Sequence, residues 1–171
     1  MTLLLGIDVG TTGVKAALFT PDGRLQAAHT VEYPTHHLRP GWVEQNPEDW
    51  WTATCAAVRA ALAEVPDAPA QVIGLAVSSQ APSMVALDAA GEPVRPALIW
   101  MDRRAEAETA QLVEQFGWDE IIRITGNRPD PYYVASKIKW FHQREPEAFR
   151  RTRWFAQIPG FINLRLTGEL T

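Results

Sequence analysis

The first 33 residues constrain the fold more than any other stretch. "LLLGIDV", "VKAALF" and "LQAAHTVEY" are strand-like runs separated by "GTTG" and "TPDGR", and connections this short join only antiparallel neighbours. Pro21 fixes φ, Asp22 bonds back to the backbone and Gly23 accepts positive φ, so "TPDG" is a turn with a mechanism. A three-strand antiparallel meander is therefore expected. Within it, Asp8 stands near the end of an apolar run, where a carboxylate costs free energy unless something pairs with it.

The rest of the chain reads as mixed α/β. "NPEDWWTATCAAVRAALAEV" starts a helix with Asn46 as cap and Pro47 at the first position, running to about Val65. "QVIGLAVSSQ" is expected as a buried strand, and a hairpin is expected around "SMVALD" and the turn "AAGEP". "PALIWM" is a short strand, and Asp102 is expected to cap a helix over 103–116. A further helix begins at Ser136 and stops or restarts at Pro146, and Gly168 stands where a helix C-cap glycine belongs. Strands come first and helices later, in one domain without internal repeats.

Composition excludes several classes. The net charge of −4 comes from interspersed signs, with no basic block to follow a nucleic-acid backbone. No apolar run approaches the roughly 20 residues that span a bilayer, and the N-terminus does not read as a secretory signal. Cys55 is the single cysteine, which excludes an intrachain disulfide and a Cys-rich metal site and fits a cytoplasmic location. His36 and His37, with no acid or Cys at ligand spacing, read as solvated loop residues.

"GIDVGTTGVKA" matches neither the G-x-x-x-x-G-K-[ST] loop nor the G-x-G-x-x-G fingerprint. What remains is a strand, a Gly-Thr-Thr-Gly turn and a returning strand. Glycines at 10 and 13 let backbone approach an anion, and successive N–H groups line the turn. Asp8 beside it could hold Mg²⁺ shared with nucleotide phosphates. A hairpin turn beside a solvated Asp is the plainer alternative.

This opening resembles the first phosphate motif of the FGGY carbohydrate kinases, a branch of the actin, hexokinase and heat-shock-chaperone ATPase superfamily. "PGWVEQNPEDWW", "RPALIWMDRRA", "TGNRPDPYYVASKIKW" and "LRLTGE" are similar to later landmarks of that family, in the same order. The resemblance implies a ribonuclease-H-like α/β fold whose mixed sheet opens with the three-strand meander and is flanked by helices. It further implies that residues 1–171 are an N-terminal kinase domain, incomplete, with its C-terminal part and the whole second domain absent.

The implied activity is transfer of the γ-phosphoryl group of ATP, with Mg²⁺, to a hydroxyl of a sugar or polyol, a ketopentose such as xylulose being the first expectation. Asp8 would serve the metal; Gly10, Thr11, Thr12, Gly13 and Lys15 would serve the phosphates. Gln80, Ala81, Pro82, Trp100, Asp102, Arg103 and Tyr132 would lie on the substrate side. An aromatic face with a few polar groups suits a polyhydroxylated ligand, and Arg103 and Arg104 in the first turn of a helix would oppose its dipole, a hint that one faces the ligand.

Two departures qualify the likeness. After "VSSQ" the family's glycerol kinases carry Arg-Glu and its xylulose kinases Met-His, where this chain has Ala81 and Pro82. The general-base Asp of the family is expected beyond Thr171, so no catalytic base is assigned here and the 171 residues alone are expected to be inactive. Small-molecule partners are expected, not nucleic acid or membrane, and a homodimer is allowed. The rival readings are a non-catalytic nucleotide-binding lobe acting through a protein partner, which calls for a large exposed apolar patch, and an inactive fragment.

Overall fold

The computed structural model describes residues 2–170. In chain order the elements are β1 (Leu3–Val9), β2 (Gly13–Phe19), β3 (Leu25–Glu32), β4 (His36–Arg39), β5 (Trp42–Gln45), α1 (Pro47–Ala63), α2 (Ala68–Gln71), β6 (Val72–Ser79), β7 (Val85–Leu87), β8 (Ala97–Leu98), α3 (Glu106–Phe116), α4 (Trp118–Thr125), α5 (Val134–Arg144), α6 (Pro146–Arg151), β9 (Trp154–Ala156) and α7 (Ile158–Thr167). They form two compact units, residues 2–35, 46–80 and 158–170 in one, and 36–45 and 81–157 in the other.

The first unit is built on a sheet of order β3-β2-β1-β6. The opening meander is antiparallel as its short turns require, and β6 adds parallel to β1 after a crossover containing α1. Leu3, Leu5, Ile7 and Val9 are buried, whereas Leu4 and Asp8 on the opposite face are exposed. Asp8 is thus exposed, not buried; period-2 alternation carries it to the open face of the sheet.

Helix α1 packs on β2 and β3 through Trp50, Ala53, Ala57 and Ala61, spaced to form one helical stripe. Asn46 caps it, its side chain accepting from the Glu48 N–H at 3.2 Å, and Trp50 meets Phe161 of α7 edge-on at 6.4 Å. Gly168, at φ +79°, closes α7 with its N–H on the Leu164 carbonyl. Strand β6 corrects the expectation of burial: Ile73 is 72% exposed, because the strand lies at the sheet edge.

The second unit holds two small sheets, β4-β5-β8 and β7-β9. Its core gathers Met84, Ala86, Leu98, Ala105, Trp140 and Phe141, with Trp42 and Phe149 packed against them. The expected hairpin closes around the "AAGEP" turn, with Asp88 N–H on Glu92, Val94 N–H on Ala86 and a reciprocal pair between Met84 and Leu98. His36 and His37, expected in a loop, are exposed on β4, which pairs antiparallel with β5. The helix expected over 103–116 begins at Glu106 and has no side-chain cap. Asp102, Arg103 and Arg104 precede it, so the dipole argument for the two arginines does not apply.

Candidate functional site

The Gly-Thr-Thr-Gly turn in the first unit is half closed. Gly10 donates to the Gly13 carbonyl at 3.0 Å, the bond that continues the β1–β2 ladder. In a fully closed two-residue loop the Gly13 N–H would return a bond to the Gly10 carbonyl. Instead the Gly10 carbonyl accepts from the Tyr33 hydroxyl and from Gln80 Nε2 at 3.2 Å. The Tyr33 N–H donates to Thr12 O at 3.2 Å, and Thr35 Oγ1 to Thr11 O at 3.4 Å. Carbonyl and N–H of a trans peptide point to opposite sides. Three consecutive carbonyls held toward Tyr33, Thr35 and Gln80 therefore direct the N–H groups of Thr11, Thr12 and Gly13 the other way.

Neither Gly10 nor Gly13 has positive φ. Gly13 is required by close approach within the fold: a Cβ there would stand 2.7 Å from Val31 O and 3.1 Å from Glu32 Cα. At Gly10 it would lie 3.3 Å from Gly13 O. Both contacts are with backbone, so the turn is built where β1, β2 and β3 crowd together.

Asp8 and Lys15 are directly paired across β1 and β2. They line a hollow of about 310 Å³ on the open sheet face, together with Gly6, Ala17, Phe19 and Ser78. Among the described residues Asp8 forms no ion pair, and no group of three or more His, Cys, Asp or Glu could cage a metal. That donor set suits Mg²⁺, which is held by one or two carboxylates together with phosphate oxygens and water.

The second unit carries the remaining candidates. Trp100, 37% exposed, meets Tyr132 edge-on at 6.4 Å, and Tyr132 meets Tyr133 at 5.0 Å. The Tyr132 hydroxyl donates to the Ala81 carbonyl at 2.9 Å, next to the cis Ala81–Pro82 bond. Arg103, half-exposed, reaches Asp130 Oδ1 at 3.2 Å. Structure thus brings Ala81, Trp100 and Tyr132 together and fastens Arg103 beside the Asp130 turn.

Asp102 is fully buried. Its Oδ2 accepts from the Val43 N–H at 2.7 Å and from Arg104 Nη2 at 2.7 Å, and its Oδ1 from the Arg104 N–H at 3.1 Å. Arg104, itself without exposed side chain, lies 3.8 Å over the Trp42 ring and pairs with Glu44 at 2.8 Å. Glu44 also pairs with Arg95, which reaches Glu145 at 2.9 Å. Asp102 is therefore an anchor between β5 and the 102–104 segment, with charge compensated by a guanidinium.

Two further residues went unread in the sequence, Tyr33 and Lys137. Lys137 is fully buried, donating to the Ile99 and Tyr132 carbonyls at 2.8 Å each; burial lowers its pKa to about 8, with Asp102 opposing the shift. A signal existed: Lys137 shares a helix stripe with Trp140 and Phe141 at i+3 and i+4, where a cation calls for partners. For Tyr33, directly after β3, composition offers none.

Residues 3–171 match the N-terminal domain of the FGGY family of carbohydrate kinases. The chain is 33% identical over 170 residues to a glycerol kinase of Thermococcus gammatolerans, covering 97% of this chain and 34% of that protein. It is 36% identical over 171 residues to a xylulose kinase of Klebsiella pneumoniae, covering 98% and 34%. The crystal structure of xylulose kinase from Rhodospirillum rubrum superposes with a TM-score of 0.95 at 27% identity, covering 99% of this chain and 35% of that one. The chain thus spans about a third of the length of the curated relatives it matches.

Proposed function

Because the chain belongs to the FGGY family of carbohydrate kinases, we propose that it supplies the phosphate hairpin and part of the sugar wall of an ATP-dependent kinase. The reaction moves the γ-phosphoryl group to a hydroxyl of a sugar or polyol. The observation that carries this reading is the turn at Gly10–Gly13, whose carbonyls are engaged by Tyr33, Thr35 and Gln80 while Asp8 and Lys15 face each other across its two strands, one residue pair away. Such a turn offers amide donors to phosphate oxygens, Lys15 adds positive charge, and Asp8 holds Mg²⁺ in company with those phosphates. The metal, when bound, neutralises charge on the transferring group.

On the acceptor side, within the second unit, Trp100 and Tyr132 provide the aromatic face and Arg103 a polar group, and Asp102 fixes the 102–104 segment that carries it. Ala81 and Pro82 supply neither the Arg-Glu of the family's glycerol kinases nor the Met-His of its xylulose kinases, and a ketopentose such as xylulose is the favoured acceptor on overall likeness alone. Transfer depends on positioning from all sides of the phosphoryl group, and the 171 residues alone bind nucleotide weakly and turn over no sugar. A cytoplasmic location fits the single cysteine.

The test is a sugar and polyol panel with ATP, on a polypeptide of the relatives' length carrying this sequence, beside its Asp8→Ala variant. Ketopentose phosphorylation abolished by Asp8→Ala, with sugar binding retained, is expected. Undiminished turnover in the variant removes Asp8 from the metal site.

A further inference from the structure

We infer that Tyr33, seconded by Gln80, is a positioning residue that keeps the hairpin mouth open by taking the Gly10 carbonyl away from the Gly13 N–H. The inference rests on the phosphate-hairpin reading and deepens it.

Two partners compete in principle for the Gly10 carbonyl. One is the Gly13 N–H across the turn, already approximated because Gly10 donates to the Gly13 carbonyl at 3.0 Å. The other is the pair of side-chain donors, the Tyr33 hydroxyl and Gln80 Nε2. In this structure the side chains win. The Gly13 N–H faces β1, because the Thr12 carbonyl of the same peptide is bonded to the Tyr33 N–H on the β3 side. With its natural acceptor turned away, that N–H is left for an anion at the mouth.

The clamp is well anchored. Tyr33 is 9% exposed and enters at the end of β3, so its ring is held by burial while its own N–H fixes Thr12. Gln80 enters from β6 on the other side of β1, and its N–H bonds the Val9 carbonyl at 2.8 Å. One donor thus comes from each flank of the strand pair that carries the turn. Burial raises the Tyr33 pKa well above its ordinary value, a side-chain hydrogen bond with Gln80 opposing the shift and Asp8 adding to it, so the phenol remains a donor at physiological pH. Without the hydroxyl, the Gly10 carbonyl is free to swing back and close the loop, and the Gly13 amide is then spent internally.

The experiment uses the 171-residue chain labelled with nitrogen-15, as wild type, Tyr33→Phe and Gln80→Leu. Hydrogen exchange at the Gly13 amide is measured without nucleotide, and amide shifts at Thr11, Thr12 and Gly13 are followed during titration with MgATP. Tyr33→Phe, which keeps the ring, is expected to slow Gly13 exchange and to weaken MgATP by about five- to tenfold, the scale of one hydrogen bond lost. Gln80→Leu is expected to act in the same direction and stands in if Tyr33→Phe loses native spectral dispersion. Unchanged Gly13 exchange and unchanged affinity in both variants overturn the clamp while leaving the phosphate reading intact. A wild-type titration that leaves Thr11–Gly13 unmoved overturns the phosphate reading instead, and the exchange measurement still decides whether Tyr33 holds the mouth open.

Discussion

Lys137→Met replaces a fully buried ammonium with an apolar chain of similar reach. Two carbonyls, of Ile99 and Tyr132, lose their 2.8 Å donor, and an orphaned buried acceptor costs about 1–3 kcal/mol. The pH dependence is more diagnostic than the size of the loss. Burial lowers the Lys137 pKa from 10.5 to about 8, so between those values the unfolded chain binds more protons than the folded one. Stability contributed by this site therefore rises with pH across that window, as the charge whose burial was unfavourable is released. Between pH 7 and 9.5 the relief amounts to about 2 kcal/mol, and the Met variant lacks it. Urea unfolding of both proteins at the two pH values should show the stability gap widening by that order. A gap that stays constant or narrows would refute a buried, pKa-depressed Lys137.

Gly13→Ala sets a methyl 2.7 Å from Val31 O and 3.1 Å from Glu32 Cα. Because both are backbone, β3 must shift, and overpacking of this kind costs about 1–3 kcal/mol; a clearly lowered urea midpoint is expected, and an unchanged midpoint would contradict the close approach. Asp102→Ala leaves Arg104, buried without solvent, paired with Glu44 alone, and breaking a buried pair costs about 3–5 kcal/mol. Thermal unfolding should show it as the more damaging change, whereas a loss typical of a helix cap, about 1 kcal/mol, would restore the capping role that the geometry denies.

Local chemistry made the first unit legible. Short turns between apolar runs dictate antiparallel pairing, Asn46 and Pro47 start α1, and Gly168 ends α7, all by interactions within a few residues. The second unit was less so, because its strands are brief: β8 spans Ala97–Leu98 and β9 Trp154–Ala156, too short for a period to register, and they form by pairing with distant segments. Asp102 shows the same limit. A carboxylate before a helical pattern reads as a cap, but its partners, Val43 and the Arg104 guanidinium, are set by tertiary packing. Tyr33 escaped notice because its hydroxyl meets a residue 23 positions earlier in the chain.

The most direct test of the account replaces magnesium by manganese, so that the bound ion broadens the resonances of nearby nuclei. With MnADP added to the nitrogen-15-labelled chain, Asp8, Thr11, Thr12 and Gly13 should lose intensity first and most, and an excess of MgADP should restore them. Broadening spread evenly over the surface, or centred away from β1 and its turn, would contradict the assignment of this hairpin to the nucleotide's metal and phosphates.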